Sequence, residues 1–85
     1  MQTFTYTITD PLGLHARSAG LLVKEAARWT CEITISCGEK HANCKHIFAI
    51  MGMAVKQGAA VTITCEGTDE EQAKDSLLQF FEKTL

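Results

Sequence analysis

Eighty-five residues, 46% apolar and 21% charged, describe one small globular domain over residues 1–85, too hydrophobic for disorder and too short for two cores. A formal charge of −2 excludes the strongly basic face that nucleic-acid binding requires. No run is long and apolar enough to cross a bilayer, and the opening MQTFTYTITD alternates instead of joining a basic start to an apolar run, so a cytoplasmic protein with no membrane insertion is expected.

From Thr3 to Thr9 the residues Phe4, Tyr6 and Ile8 alternate with threonines, the period-two pattern of a half-buried strand. Asp10, Pro11 and Gly13 mark a turn, and a helix is predicted to begin near Ala16 with Ala19, Leu22, Val23 and Ala26 as its buried stripe. Arg17, Leu21, Lys24 and Arg28 share the opposite face, where a leucine among cations suits an acidic partner with an apolar centre. Cys31, Ile33, Ile35 and Cys37 alternate with polar residues in a second strand, and Gly38-Glu39 turns the chain into a short third strand at Lys40 to Asn43. The segment HIFAIMGM, His46 to Met53, is apolar on nearly every side of a short helix, so some of Ile47, Phe48 and Met51 must face solvent or a partner. Val61, Ile63 and Cys65 alternate with Thr62 and Thr64 in a fourth strand. A capping box from Thr68 to Glu71 then opens a third helix, which turns Ala73, Leu77, Phe80, Phe81 and Leu85 to the core. The order β-α-β-β-α-β-α predicts an α+β open-faced sandwich, a four-stranded antiparallel sheet with three helices on one face and threonines on the other.

Four cysteines could pair in three ways in a secreted chain, but with no signal peptide they read as free thiols. Cys37, His41, Cys44 and His46 are soft ligands close together, and a small zinc-binding domain is an alternative reading. Strand alternation would separate neighbouring ligands onto opposite faces, and C-x3-H-x2-C-x-H is no familiar ligand spacing, so no metal and no cofactor are expected.

The stretch GLHARSAG, residues 13 to 20, sets His15 at or near the N-cap of the first helix. Serine, threonine, aspartate or asparagine caps a helix better, so histidine there forgoes stability unless it has another task. The free amides and partial positive charge of a helix start suit a dianionic phosphoryl group, and Arg17 adds a fork of donors. A neutral imidazole has one nitrogen lone pair free to attack phosphorus. With no general base, metal cluster or substrate pocket beside it, His15 reads as a carrier whose partners supply the rest of the machinery. On these residues alone, a solvated turn histidine and arginine remain the competing reading.

GLHARSAG, the helix after it to about Arg28, the hairpin around Gly38, KHIFAIMGM, QGAAVTI and EGTDEEQA together resemble HPr, the histidine-containing phosphocarrier family of the bacterial phosphoenolpyruvate-dependent sugar phosphotransferase system. The likeness runs over essentially the whole chain without a gap. It implies that His15 receives a phosphoryl group on its ring from the system's first enzyme and passes it to sugar-specific acceptor proteins, the chain being a monomeric carrier and not itself an enzyme. It further implies that Arg17 neutralises the phosphate beside Ala16 and Ser18, and that partners dock on Gly20, Leu21 and Lys24 of the first helix and on Ile47, Phe48 and Met51 of the middle one. Two residues depart from the family pattern. Ser18 stands where proline is usual and adds an amide donor and a hydroxyl. His46 stands where many Gram-positive relatives carry a serine that a regulatory kinase modifies, so that regulation does not carry over. A regulatory HPr-like binding protein is the remaining alternative, and the presence of both His15 and Arg17 speaks against it because docking alone needs no nucleophile.

Overall fold

Strand β1 (Gln2–Thr7) carries its threonines on one face and Phe4 and Tyr6 on the other, and the strands over Glu32–Cys37 and Ala60–Glu66 repeat that division. A computed structural model describes residues 1–85. After β1 come α1 (Ala16–Ala26), β2 (Glu32–Cys37), β3 (Lys40–Asn43), α2 (Ile47–Gly52), β4 (Ala60–Glu66) and α3 (Glu70–Thr84), the expected order. The sheet runs β1-β4-β2-β3 with every neighbouring pair antiparallel. Its register stacks threonine on threonine across the open face, Thr5 against Thr62 and Thr34 against Thr64, while Phe4 and Ile35 flank Ile63 on the inner face.

Helices α1 and α3 cover that inner face. Ala19, Leu22 and Ala26 of α1 and Ala73, Leu77 and Phe81 of α3 are buried against Ile33, Ile35, Val61 and Ile63. Phe81 meets the edges of Phe4 and Tyr6 at centroid distances of 5.8 and 5.6 Å, and burying a ring of this size contributes roughly 2–3 kcal/mol. Two placements differ from the sequence expectation here. Val23 and Phe80 are only half-buried, because each lies at the margin of its helix's apolar stripe, and Phe80 packs against the edge of Phe81 instead of entering the core.

Strand and helix ends also differ. Strand β1 stops at Thr7, since Ile8 and Thr9 leave the ladder to bond Ala59 and Leu85, and β2 begins at Glu32, which leaves Cys31 buried just outside it. The capping box expected at Thr68–Glu71 is absent. Helix α3 starts one residue later, with Asp69 at the N-cap, and the Gly67 N–H donates to Glu70 Oε1 at 3.1 Å. The Asp69 side chain does not cap its own helix. It accepts hydrogen bonds from the backbone N–H of Thr30 at 2.8 Å, from the Thr30 hydroxyl and from the backbone N–H of Cys31 at 2.9 Å, which stitches the α1–β2 turn to the start of α3.

Those donors, the Thr30 amide foremost, hold the Asp69 carboxyl down at about 2, below its ordinary 3.8. A depressed carboxyl stabilises the fold above its unfolded value and loses that contribution as pH falls from about 3.8 through about 2. Asp69→Asn is therefore expected to lower Tm at neutral pH and to flatten the fall of Tm between pH 4 and 2. Thermal melts across that range check it, and a parallel offset with unchanged slope would refute it.

Candidate functional site

The turn between β1 and α1 is held at several points. The Gly13 N–H donates to Asp10 O at 2.9 Å, the Leu14 N–H donates to Val55 O at 2.9 Å, and Leu14 is buried beneath the turn. Gly13 has φ +67°, and a Cβ there would stand 2.4 Å from Val55 O, so the turn requires glycine. From the far end of the chain, the Leu85 main-chain oxygen accepts from Thr9 N at 2.6 Å, Asp10 N at 2.9 Å and the Thr9 hydroxyl at 2.8 Å. The last turn of α3 is thereby fastened beside the first turn of α1.

His15 is the N-cap of α1, as expected, with extended backbone at φ −114° and ψ −179°. The first in-helix bond runs from Ala19 N to His15 O at 2.7 Å, so the amides of Ala16 and Arg17 are free donors of the first turn, while the Ser18 amide is turned back toward the His15 side chain in a capping-box arrangement. Ser18 is buried, and its hydroxyl accepts from His15 N–H at 3.0 Å while donating to His15 O at 3.2 Å. That hydroxyl is engaged in holding the N-cap, the reciprocal half of the box with the His15 side chain. Arg17 is exposed and takes part in no ion pair or side-chain hydrogen bond, which leaves its guanidinium unoccupied.

His15 opens into a shallow cleft of about 420 Å³. Arg17, Ser18 and Leu21 form its α1 wall, Asp10 and Leu12 belong to the preceding turn, and Lys83 and Thr84 close it from α3. Two charged residues here were not legible as site residues. Asp10 read only as a turn former, yet its Oδ2 lies 3.8 Å from His15 Nε2. Lys83 read as ordinary helix surface, and only the packing of α3 against α1 brings it to this cleft.

The residues expected to dock partners belong to α1 and α2, which pack against each other. Phe48 is 84% exposed, Leu21 and Met51 about 40%, and Lys24 is also exposed. Ile47 is half-buried and comes within 3.7 Å of the position a side chain on Gly20 would take, so Gly20 and Ile47 chiefly seat α2 on α1. His46 is the exposed N-cap of α2 and its side chain makes no capping bond.

The alternative metal cluster is not assembled. In the register of β2 and β3, His41 stands opposite Ser36 on the open face, whereas Cys44 is fully buried, and no three His, Cys, Asp or Glu side chains converge as a ligand set. All four cysteines are free thiols. Burial pushes the thiols of Cys31 and Cys44 up to about 12, so neither is a reactive thiolate. No helix is long and apolar enough to cross a membrane.

Comparison with known proteins places the whole chain in a family. A family model described as the PTS HPr component phosphorylation site matches residues 2–83. The chain is 44% identical over 79 residues to the phosphocarrier protein HPr of Mycoplasma capricolum, covering 93% of this chain and 89% of that one. It is 46% identical over 77 residues to the phosphocarrier protein HPr of Lysinibacillus sphaericus, covering 91% and 88%. Among solved structures, a Mycoplasma histidine-containing phosphocarrier protein superposes with a TM-score of 0.95 at 42% identity, over 98% of this chain and 94% of that one.

Proposed function

The chain belongs to the HPr family of phosphocarrier proteins, and from that premise we propose that His15 is the residue that takes up and hands on the phosphoryl group. Its function is phosphoryl relay in the phosphotransferase system, as a carrier and not as an enzyme. The observation that carries the assignment to His15 is the conjunction of an N-cap imidazole, the free first-turn amides of Ala16 and Arg17 and an unpaired Arg17 guanidinium in one open cleft.

The ring attacks phosphorus as neutral imidazole. Its Nε2 faces Asp10, so the lone pair used is that of Nδ1. Arg17 spans two phosphoryl oxygens with its fork of N–H donors, and the amides of Ala16 and Ser18 lie at the positive end of the helix. Lys83 supplies a second cation from the opposite wall. The cleft is open and shallow, which suits a group that must be reached first by a donor protein and then by an acceptor.

Those proteins are the system's first enzyme and its sugar-specific acceptors, met in the cytoplasm by a single copy of the chain. They dock on Leu21 and Lys24 of α1 and on Phe48 and Met51 of α2, an apolar centre edged by cations. Gly20 and Ile47 keep the two helices together beneath them. The test of the relay is two-step transfer: protein phosphorylated by the first enzyme and then isolated should lose its phosphoryl group to an acceptor within seconds. A stable phosphoprotein that no acceptor discharges would overturn the reading.

Phe48→Ala is expected to weaken binding to the first enzyme about tenfold while shifting Tm by less than about 2 °C, since the ring is exposed and contributes little to the core. Titration and thermal melts separate the two effects, and a large Tm loss with unchanged affinity would assign Phe48 to the fold instead. A kinase that modifies the serine of Gram-positive relatives is expected to leave this chain unmodified. His46 has no hydroxyl, Ser18 is buried, and Ser76 donates to Glu25 at 2.5 Å. Seryl phosphate on the unmutated chain would refute this.

A further inference from the structure

Asp10 is more tightly placed than a turn residue needs to be. Its N–H donates to Leu85 O at 2.9 Å, its carbonyl accepts from Gly13 N at 2.9 Å, and its Oδ1 accepts from Leu12 N at 2.9 Å. With backbone and one carboxylate oxygen so fixed, Oδ2 is presented to His15 Nε2 at 3.8 Å, within ion-pair range. We propose that Asp10 is a positioning residue for the relay, holding the His15 ring with its proton on Nε2 so that Nδ1 meets phosphorus and the ring leaves as neutral imidazole. This rests on the reading of His15 as the phosphoryl carrier.

The chemistry balances without a proton being moved. On uptake, the Nδ1 lone pair forms the N–P bond as the bond from phosphorus to the donor's leaving atom breaks with its electron pair. The ring becomes a cationic phosphoimidazolium that keeps its Nε2 proton beside the Asp10 carboxylate. On delivery, the acceptor's nucleophilic lone pair forms the new bond to phosphorus, the Nδ1–P pair returns to Nδ1, and the ring is again neutral with Nε2–H. Positive charge on the ring thus appears only with the phosphoryl group attached or in transit, and a carboxylate fixed in advance stabilises that charge in both directions. The other charged groups lining the cleft are Arg17 from α1 and Lys83 from α3, and both are cations suited to the phosphoryl oxygens.

Asp10→Asn is the fitting variant, because the amide oxygen still accepts from Leu12 and the turn is kept. In the unphosphorylated protein, at a pH where the ring is neutral, the ¹⁵N shifts of His15 should report the Nε2–H tautomer as dominant, and Asp10→Asn should bring the Nδ1–H tautomer to a comparable share. Transfer from the first enzyme and to the acceptor should both slow roughly tenfold, with unchanged affinity for the first enzyme. Dominance of Nδ1–H in the parent protein, unchanged tautomers in the variant, or a tautomer change without slower transfer would each overturn the proposal. The tautomer measurement needs no phosphorylation, so a failure of His15 to be phosphorylated at all would count against the relay and leave Asp10 to be judged by the ring shifts.

Discussion

Replacing Gly13 with alanine is expected to destabilise the protein by about 3 kcal/mol or more, a large share of the roughly 5–10 kcal/mol available to a domain this small. The new Cβ would stand 2.4 Å from Val55 O and 2.7 Å from Lys56 Cα, both backbone atoms that no side-chain rotation can move aside. Its φ of +67° adds the left-handed penalty of an L residue, about 1 kcal/mol. Relief requires the turn to shift, and the same turn carries the Leu14 N–H bond to Val55 O and the entry of His15 into the N-cap. Phosphoryl uptake should therefore fall together with Tm, which should drop by more than about 10 °C. Melts and uptake rates on the variant check this. A Tm within a few degrees of the parent, with full uptake, would mean the turn tolerates what its geometry forbids.

Arg17→Ala should do the opposite, sparing the fold and removing most of the chemistry. The side chain is exposed and has no partner, so Tm should move by less than about 0.5 kcal/mol of stability would cause. If the guanidinium neutralises the phosphoryl oxygens during transfer, its loss should slow transfer about a hundredfold, the usual scale for deleting one such donor. Arg17→Lys should fall between, keeping the charge and losing the two-pronged geometry. Transfer in the alanine variant within threefold of the parent would remove Arg17 from the site.

What could be read from the residues and what could not divides on sequence distance. The strand faces of Phe4–Tyr6, Ile33–Ile35 and Val61–Ile63 were legible because burial repeats every second residue, and His15 was legible as an N-cap because Asp10, Pro11 and Gly13 lie within five residues of it. The α3 capping box failed for a tertiary reason: the carboxylate nearest the helix start, Asp69, is engaged by Thr30 and Cys31, and Glu70 takes the Gly67 amide instead. The same limit hid the far wall of the cleft. Lys83 and Thr84 line the cleft because Leu85 O is tied to Thr9 and Asp10, a contact between residues far apart in sequence that no local pattern announces. Asp10 lay in plain view, but a turn aspartate has a sufficient local explanation in its bond to the Leu12 amide, and that explanation concealed its second oxygen.

The central claim is that His15 carries the phosphoryl group. Incubating the chain with the first enzyme of a phosphotransferase system and phosphoenolpyruvate, then recording intact mass, tests it most directly. The account predicts the added mass of one phosphoryl group, lost in acid and kept in base as a phosphoramidate should be, and no addition to His15→Ala, which should remain folded because the ring is partly exposed. Addition that persists in His15→Ala, or none to the parent chain with any first enzyme tried, would contradict it.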